Sequence, residues 1–408
     1  MPSDVDILIL GGGCAGLSLA MRLAAYGSRC PRVHLVERRS AYTNDRTWCF
    51  FKPAVTKSMA GDVAGISKGR SRPEWFNDFA PLIKHQWSTL RVTNNERSVT
   101  LCSAASPYQM LSADAFYKTA LDAIATNAQI NLSLNDSVVA PPEKRNDRWH
   151  LHTSNGIVQA RILIDTRPGA LPARGDAVLW QSFYGQEISC DGDVFDTNCA
   201  DLMNFLEPPC VDVCFAQTVP FVYLLPLTKN RALIEVTVFG PDLLSQDQLA
   251  EAQARAVLQR TGSHSFSVIR SEFGVLPMGL VQQDASTDLS HVRAGLMAGG
   301  ARPSSGYAFA RIQRWASTCA TALAMGQPAV SHAADSRTLR AMDALFLNVI
   351  RSHPQAAPDM FLALFDKVAA PRLVRFLSDQ GTLADCAAIA AALPPAPFLR
   401  ALLKKVMR

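Results

Sequence analysis

The chain has 408 residues, 48% of them hydrophobic and 18% charged, with a formal net charge of +5. Such a composition excludes a disordered, collagen-like or disulfide-stapled mini-protein, and the small basic excess does not suggest a nucleic-acid binder. The length allows two or three packed units.

Residues 1–6 carry two acids and no basic cluster, and the apolar run that follows is too short for a signal core. No stretch reaches the roughly 20 apolar residues needed to span a bilayer, so the expectation is a soluble or peripheral protein. The ten cysteines are scattered without a Cys-x-x-Cys pair, and only Cys210 and Cys214 lie close together. That scatter fits reduced thiols in a cytosolic protein and is not a metal spacing. The eight histidines are dispersed, only His150 and His152 lying near each other, so no metal is expected.

Residues 6–10 read Asp-Ile-Leu-Ile-Leu, a continuous apolar run of the kind shown by a strand buried on both faces. Gly11, Gly12, Gly13, Cys14, Ala15 and Gly16 follow at once as Gly-x-Gly-x-x-Gly. Small and aliphatic residues then predict a helix over 15–25, and a second apolar strand over 33–36 ends at Glu37, 21 positions beyond Gly16. In that order the parts predict a dinucleotide site. Gly11 permits the tight turn, Gly13 lets backbone N–H groups approach a pyrophosphate, and Gly16 lets the helix pack on the sheet. The helix start supplies the positive end, and Glu37 accepts from a ribose hydroxyl. FAD is favoured over NAD because the motif opens the chain and a flavin-type segment returns later.

Residues 160–167 hold another apolar strand that ends in an acid, Asp165, and would return the chain to the same domain. From 178 to about 275 the segments alternate and are β-rich, which predicts a sheet. Within them Glu235 is the single carboxyl of the apolar run 233–239. Desolvation raises the pKa of such a group and lets it act as an acid near neutral pH; an edge-strand acid facing water is the alternative. Residues 293–307 give a strand, a glycine turn and a Pro/Ser-marked helix start, with Gly300, Pro303, Ser305 and Gly306 expected at the cofactor. Ser304 or Ser305 is expected to cap the next helix and aim its positive end at the flavin. From 336 onward, alternating aliphatic faces and prolines predict several short helices. Nine bases stand against five acids between 340 and 408. The basic tail at 402–408 is read either as lying on an anionic membrane or as part of a packed helical lid.

The run Tyr42-Thr43-Asn44-Asp45-Arg46-Thr47-Trp48-Cys49-Phe50 resembles the signature of bacterial lycopene β-cyclases, flavoproteins of carotenoid biosynthesis. Later blocks at 181–187, 221–227, 274–277 and 303–307, and the helical tail from about 345 to 403, are similar to that family in the same order. The resemblance implies an α/β fold: an FAD-binding Rossmann-type domain of the glutathione-reductase/hydroxybenzoate-hydroxylase kind, an inserted β-sheet substrate domain and a helical C-terminal part. The expected boundaries are 1–177 and 286–335 for the FAD-binding domain, 178–285 for the substrate domain and 336–408 for the helical region.

It further implies ring closure of lycopene or a related carotenoid with no net redox change, reduced FAD as cofactor and NAD(P)H as reductant. A cytoplasmic location, peripheral to the inner face of the membrane, goes with that substrate. Arg46 and Thr47 are counted among the cofactor residues. Glu235 matches a glutamate regarded as essential in the family. Two departures stand out: Val236 replaces the usual second acid after that glutamate, and Thr166 stands where relatives usually have Gly; the absence of the Gly-Asp pair that aromatic hydroxylases carry near residue 300 counts against a hydroxylase. Asp45, Glu187 and Glu272 are weaker candidates, and Trp48, Phe183, Tyr223 and Tyr307 are candidate tunnel aromatics. The alternatives are a flavin-dependent monooxygenase, halogenase or isomerase acting on another polyene, and a non-catalytic polyisoprenoid carrier.

Overall fold

In the computed structural model, residues 3–53, 56–57, 70–71, 74–168, 177–205, 217–280 and 288–406 are described. Continuous apolar runs form the centre of the first sheet, as expected of strands covered on both faces. Ile7, Leu8, Ile9 and Leu10 of the strand Ser3–Leu10 are fully buried. This strand pairs in parallel with Val33–Val36 on one side and Gly156–Asp165 on the other. Ile130–Ser133 extends the sheet beyond 33–36, and His291–Arg293 pairs in parallel with 156–165. Arg148–Thr153 and Glu143–Arg145 complete it as an antiparallel edge. The helix Cys14–Ala24 packs against Ala113–Ala125 and Phe309–Ala324.

These elements belong to one of two compact units, made of Met1–Asp45, Ser112–Val178 and Leu276–Asp343. The other consists of Arg46–Leu111, Leu179–Val275 and Ala344–Arg408. Residues 46–111, counted with the nucleotide-binding part in the sequence reading, thus group with the second unit. Thr89–Thr93 pairs in parallel with Cys199–Asn204 and antiparallel with Ser98–Cys102, so this segment extends the second sheet.

That sheet has seven strands, ordered 266–280, 177–190, 231–240, 219–228, 199–204, 89–93 and 98–102. Side chains alternate between its faces. Ile234, Val236 and Val238 of Arg231–Gly240 join Tyr184, Ile188, Val222 and Leu224 in one apolar layer. Leu249, Ala252, Ala256 and Val257 of the helix Gln246–Thr261 close that layer. The helix begins with a reciprocal cap between Ser245 and Gln248. The odd-numbered residues 233, 235 and 237 therefore face the opposite side.

The short helices expected at the carboxy-terminal end are present: Arg337–Ser352, Ala357–Lys367, Ala370–Leu377, Leu383–Ala392 and Pro395–Val406. The second of these packs on the 89–93 and 98–102 strands, where Asn94 donates to Asp359 at 2.9 Å. Side chains of the basic tail at 402–408 lie outside the described residues, as do Cys210 and Cys214. Among the described residues no helix is long and apolar enough to cross a membrane.

Candidate functional site

In the first unit the strand 3–10 ends in a turn that only glycines fit. Gly11 has φ +92°, and a Cβ on Gly16 would lie 2.0 Å from the Gly11 carbonyl oxygen. Around Gly13 there is nothing within 4 Å of where a Cβ would be. Gly13 also caps the helix Cys14–Ala24, which has neither a side-chain cap nor an acid in its first turn. Open backbone at a positive helix end suits a pyrophosphate. Cys14 and Ala15 form the first helical turn.

Glu37 closes the turn from the neighbouring strand. Its buried carboxylate accepts from the Gly12 N–H at 2.6 Å, the Arg39 N–H at 2.8 Å and Arg39 Nε at 3.0 Å. Burial alone would raise its proton affinity, but the hydrogen bonds and charge of Arg39, with the Gly12 N–H, outweigh it and hold the acid below the usual carboxylate range. Tyr42 donates to the Gly12 carbonyl at 3.0 Å, and Asp45 accepts from Tyr117 at 3.0 Å. The Thr166 hydroxyl lies 2.9 and 2.8 Å from the carbonyl oxygens of Leu10 and Gly11 and donates across both, so the departure from Gly ties the 156–165 strand to the turn. Asp165 is held by Arg167, with Nη2 at 2.7 Å.

The return segment brings Gly300 to the same unit. Its N–H donates to Gly295 O at 2.9 Å, and a Cβ there would sit 2.5 Å from that oxygen. His332 Nε2 accepts from the Gly295 N–H at 3.0 Å. The expected serine cap is corrected. The helix starts only at Phe309, with Ala308 as its N-cap and no side-chain cap. Residues 302–307 instead fold into a turn in which Gly306 (φ +72°) donates to Arg302 O at 2.9 Å. Ser304 donates to Asp343 at 2.8 Å, and Ser305 accepts from the Tyr307 N–H at 3.5 Å. Arg302 is fully buried and pairs with Asp343 at 3.2 Å, a long-range tie that fixes the turn, with Pro303 inside it.

Arg46 and Thr47 are in the second unit, where a different constellation forms on the sheet face opposite the 246–261 helix. Glu235 is buried and accepts from Thr237 Oγ1 at 2.7 Å. Its cross-strand neighbours are Tyr223 and Gly185. A Cβ on Gly185 would lie 3.2 Å from Glu235 Cβ. On the edge strand Phe266–Leu280, Arg270 donates to Glu187 at 2.6 Å and to Glu272 at 2.7 Å. Glu187 also accepts from Arg231. Thr47 donates to Glu272 at 2.9 Å and accepts from Arg270 at 2.7 Å.

The electrostatics follow from enclosure. Burial, and then the charge of Glu272, push the Glu235 carboxyl up to about 8 against the pull of Thr237 and Arg270. Burial raises Glu272 as well, opposed by Arg270, Thr47 and Arg46. Cys49 on the strand Thr47–Phe51 meets Tyr223 and Tyr108, and burial of its thiol pushes it up to about 12. The face thus brings together two enclosed acids, of which Glu272 is held by a guanidinium and Glu235 by a hydroxyl.

Glu235 is legible in the sequence as a lone acid in an apolar run, whereas the partners that Arg270, Thr237 and Gly185 supply are not. Glu272 and Glu187, weaker candidates there, stand on this face and are both paired with Arg270. Parity was the available signal: 270 and 272 on one strand and 185 and 187 on another share a face once the strands are known to be neighbours. Phe183, Tyr223, Trp48 and Tyr307 are all partly exposed. Tyr223 and Phe183 share the Glu235 face by alternation, while Tyr307 belongs to the first unit. No group of His, Cys, Asp and Glu suited to a metal exists among the described residues.

The fold is that of flavoproteins. The p-nitrophenol 4-monooxygenase PnpA of Pseudomonas putida is similar with a TM-score of 0.59 and 13% identity, covering 93% of this chain and 99% of that one. A geranylgeranyl bacteriochlorophyll reductase-like protein of Thermoplasma acidophilum is similar at 0.56 and 15%, with 96% of both chains covered. A flavoprotein/dehydrogenase of Cytophaga hutchinsonii follows at 0.52 and 14%, covering 92% and 93%. The architecture is therefore the α/β, FAD-binding Rossmann-type fold expected from the sequence. Residues 6–403 match the family described as lycopene cyclase protein, and the chain belongs to that family. No curated protein sequence matches it.

Proposed function

We propose that the chain is an FAD-dependent, non-redox cyclase that closes the acyclic ψ-ends of lycopene, or of a related carotenoid, to β-ionone rings. Family membership supports this reading, and one observation carries it: Glu235 is enclosed in an apolar strand with the Thr237 hydroxyl on its carboxyl, and that burial raises its proton affinity toward neutral pH. A carboxyl with that proton affinity is an acid matched to neutral pH.

The residues present fit the cofactor. Backbone at Gly11, Gly13, Cys14, Ala15 and Gly16 would hold the pyrophosphate, and Glu37 the ribose, in place of part of the Arg39 guanidinium. Asp165 and the turn with Gly300, Pro303, Ser305 and Gly306 would take the remainder. Bound and reduced, with NAD(P)H as reductant, the flavin supplies an electron-rich ring that offsets positive charge on the substrate. Thr47 and Arg46 act on Glu272, so their place in this reading is the acid face.

Closure requires a proton on C2 of the ψ-end, attack of the next double bond to give a tertiary cation, and loss of the C6 proton. Glu235 delivers the first proton from its carboxyl oxygen, and the carboxylate this leaves takes up the C6 proton, which restores the acid. The ring faces of Tyr223 and Phe183, on the same side of the sheet, favour a cation near them. A greasy substrate of this kind resides in lipid, so the reading includes a cytoplasmic protein working at the inner membrane surface.

Expression in lycopene-accumulating bacteria tests the proposal. Cells should turn from red to orange-yellow with cyclised product on chromatography. Glu235→Gln should leave them red while the purified variant stays flavin-loaded. Red cells with the wild type would sink it. The likeness of fold to a monooxygenase favours one alternative, an oxygen-using flavoenzyme; substrate-dependent oxygen uptake would select it.

A further inference from the structure

The residue directly after Glu235 is Val236. The side chain of Val236 packs in the apolar layer under the 246–261 helix, on the face away from Glu235. An acid at 236 would not meet Glu235. The face that Glu235 does occupy supplies another acid from a different strand.

The edge strand 266–280 neighbours 177–190, which neighbours 231–240. Arg270 reaches Glu187, and Gly274 sits so close to Phe183 that a Cβ on it would fall 2.3 Å from the ring. These two contacts bracket Glu272 against Gly185. Gly185 in turn stands directly across from Glu235. Between the two glutamates, therefore, lies a residue with no side chain. Any larger residue at 185 would begin 3.2 Å from Glu235 Cβ and 3.4 Å from its Oε2.

We propose that Glu272 is the positioning carboxylate of Glu235: kept ionised by Arg270 and Thr47, it faces Glu235 across the bare site of Gly185 and keeps the single proton of the pair on Glu235. The asymmetry comes from the partners. Glu272 has a guanidinium at 2.7 Å and a hydroxyl at 2.9 Å, while Glu235 has the Thr237 hydroxyl at 2.7 Å. Two like charges in one enclosure do not both ionise, so the carboxylate paired with the guanidinium keeps the charge and the other keeps the proton. Among the described residues, the other titratable and charged groups around this pair are Arg270 on the edge strand, Cys49 on 47–51 with Arg46 just before it, and Tyr223 on 219–228 with Tyr108 beside it; Glu187, bridged by Arg231 and Arg270, lies one step further. The role in catalysis rests on the cyclase reading, but the proton arrangement does not.

The test is an infrared pH titration of the full-length holoprotein. The protonated-carboxyl band of Glu235 is assigned by its loss in Glu235→Gln. In Glu272→Gln the midpoint of that band should fall by about one pH unit, because the like charge is gone. Glu272→Asp, which withdraws the charge by one methylene, should give a smaller fall and carries the test if the amide variant does not fold. A merely structural Glu272 would lower stability and leave the midpoint in place, and an unchanged or raised midpoint in either variant overturns the proposal. If the midpoint moves as stated but lycopene is not cyclised, the functional reading alone fails. If lycopene is cyclised while the midpoint stays, the proton arrangement alone fails.

Discussion

At the scale of single residues, two titrating groups link chemistry to stability. The folded chain holds the Glu235 proton up to about pH 8, whereas an ordinary glutamate releases it near 4.5. Between those values the folded state binds more protons than the unfolded one, so stability is greatest at the acid end and declines as pH rises toward 8. Replacing Glu235 by Gln removes that decline. Chemical denaturation at pH 5 and pH 9 should show the variant gaining on the wild type at the higher pH, and parallel curves would refute it. His332 is the opposite case. Burial, then Arg311, lower it to about 4, so at neutral pH its uncharged ring accepts from the Gly295 N–H. His332→Phe should cost about 1–3 kcal/mol through the orphaned amide and reduce flavin retention, both measured on the purified variant.

Elements show how far pattern reading reaches. A period of two is visible in the text, so the opposite orientations of Glu235 and Val236 were open to inference from 231–240 alone. The pairing of Glu272 with that face was not, because it depends on which distant strands are neighbours. The late helix start at Phe309 was hidden for a similar reason. Ser304 and Ser305 look like caps locally, yet the buried Arg302–Asp343 pair recruits Ser304 from 39 positions away. Val236→Asp should therefore destabilise by about 3–5 kcal/mol, as an uncompensated charge in the apolar layer, and leave the Glu235 titration untouched. Urea unfolding checks the first part; an acid at 236 that is tolerated would contradict the assigned face. At the start of the covering helix, Ser245→Ala should cost about 1 kcal/mol by the same assay.

Over the whole molecule, each unit is assembled from three separated stretches of chain. The glycine turn, its tie to Glu37 and the strand at Asp165 were legible because a strand–turn–helix unit is local. The place of residues 46–111 was not, because the parallel pairing of 89–93 with 199–204 joins stretches more than a hundred positions apart. A consequence is that a fragment cut at 177 lacks the 291–293 strand and the 309–324 helix that packs on 14–24. Such a fragment should show no cooperative thermal transition by circular dichroism and retain no flavin, while the full chain does both. A cooperatively melting, yellow fragment would show that the first stretch is self-sufficient.

Cys49 has one more use. Its thiol stays un-ionised beside Tyr223 and Tyr108, whereas Cys102 is exposed. Alkylating reagents attack thiolates, so Cys102 should be labelled early and Cys49 late, and the lag between them, followed by mass spectrometry, becomes a clock for how often water enters the acid face. A bound polyene that fills this face would slow that clock further, giving a sentinel for occupancy that requires neither colour nor turnover.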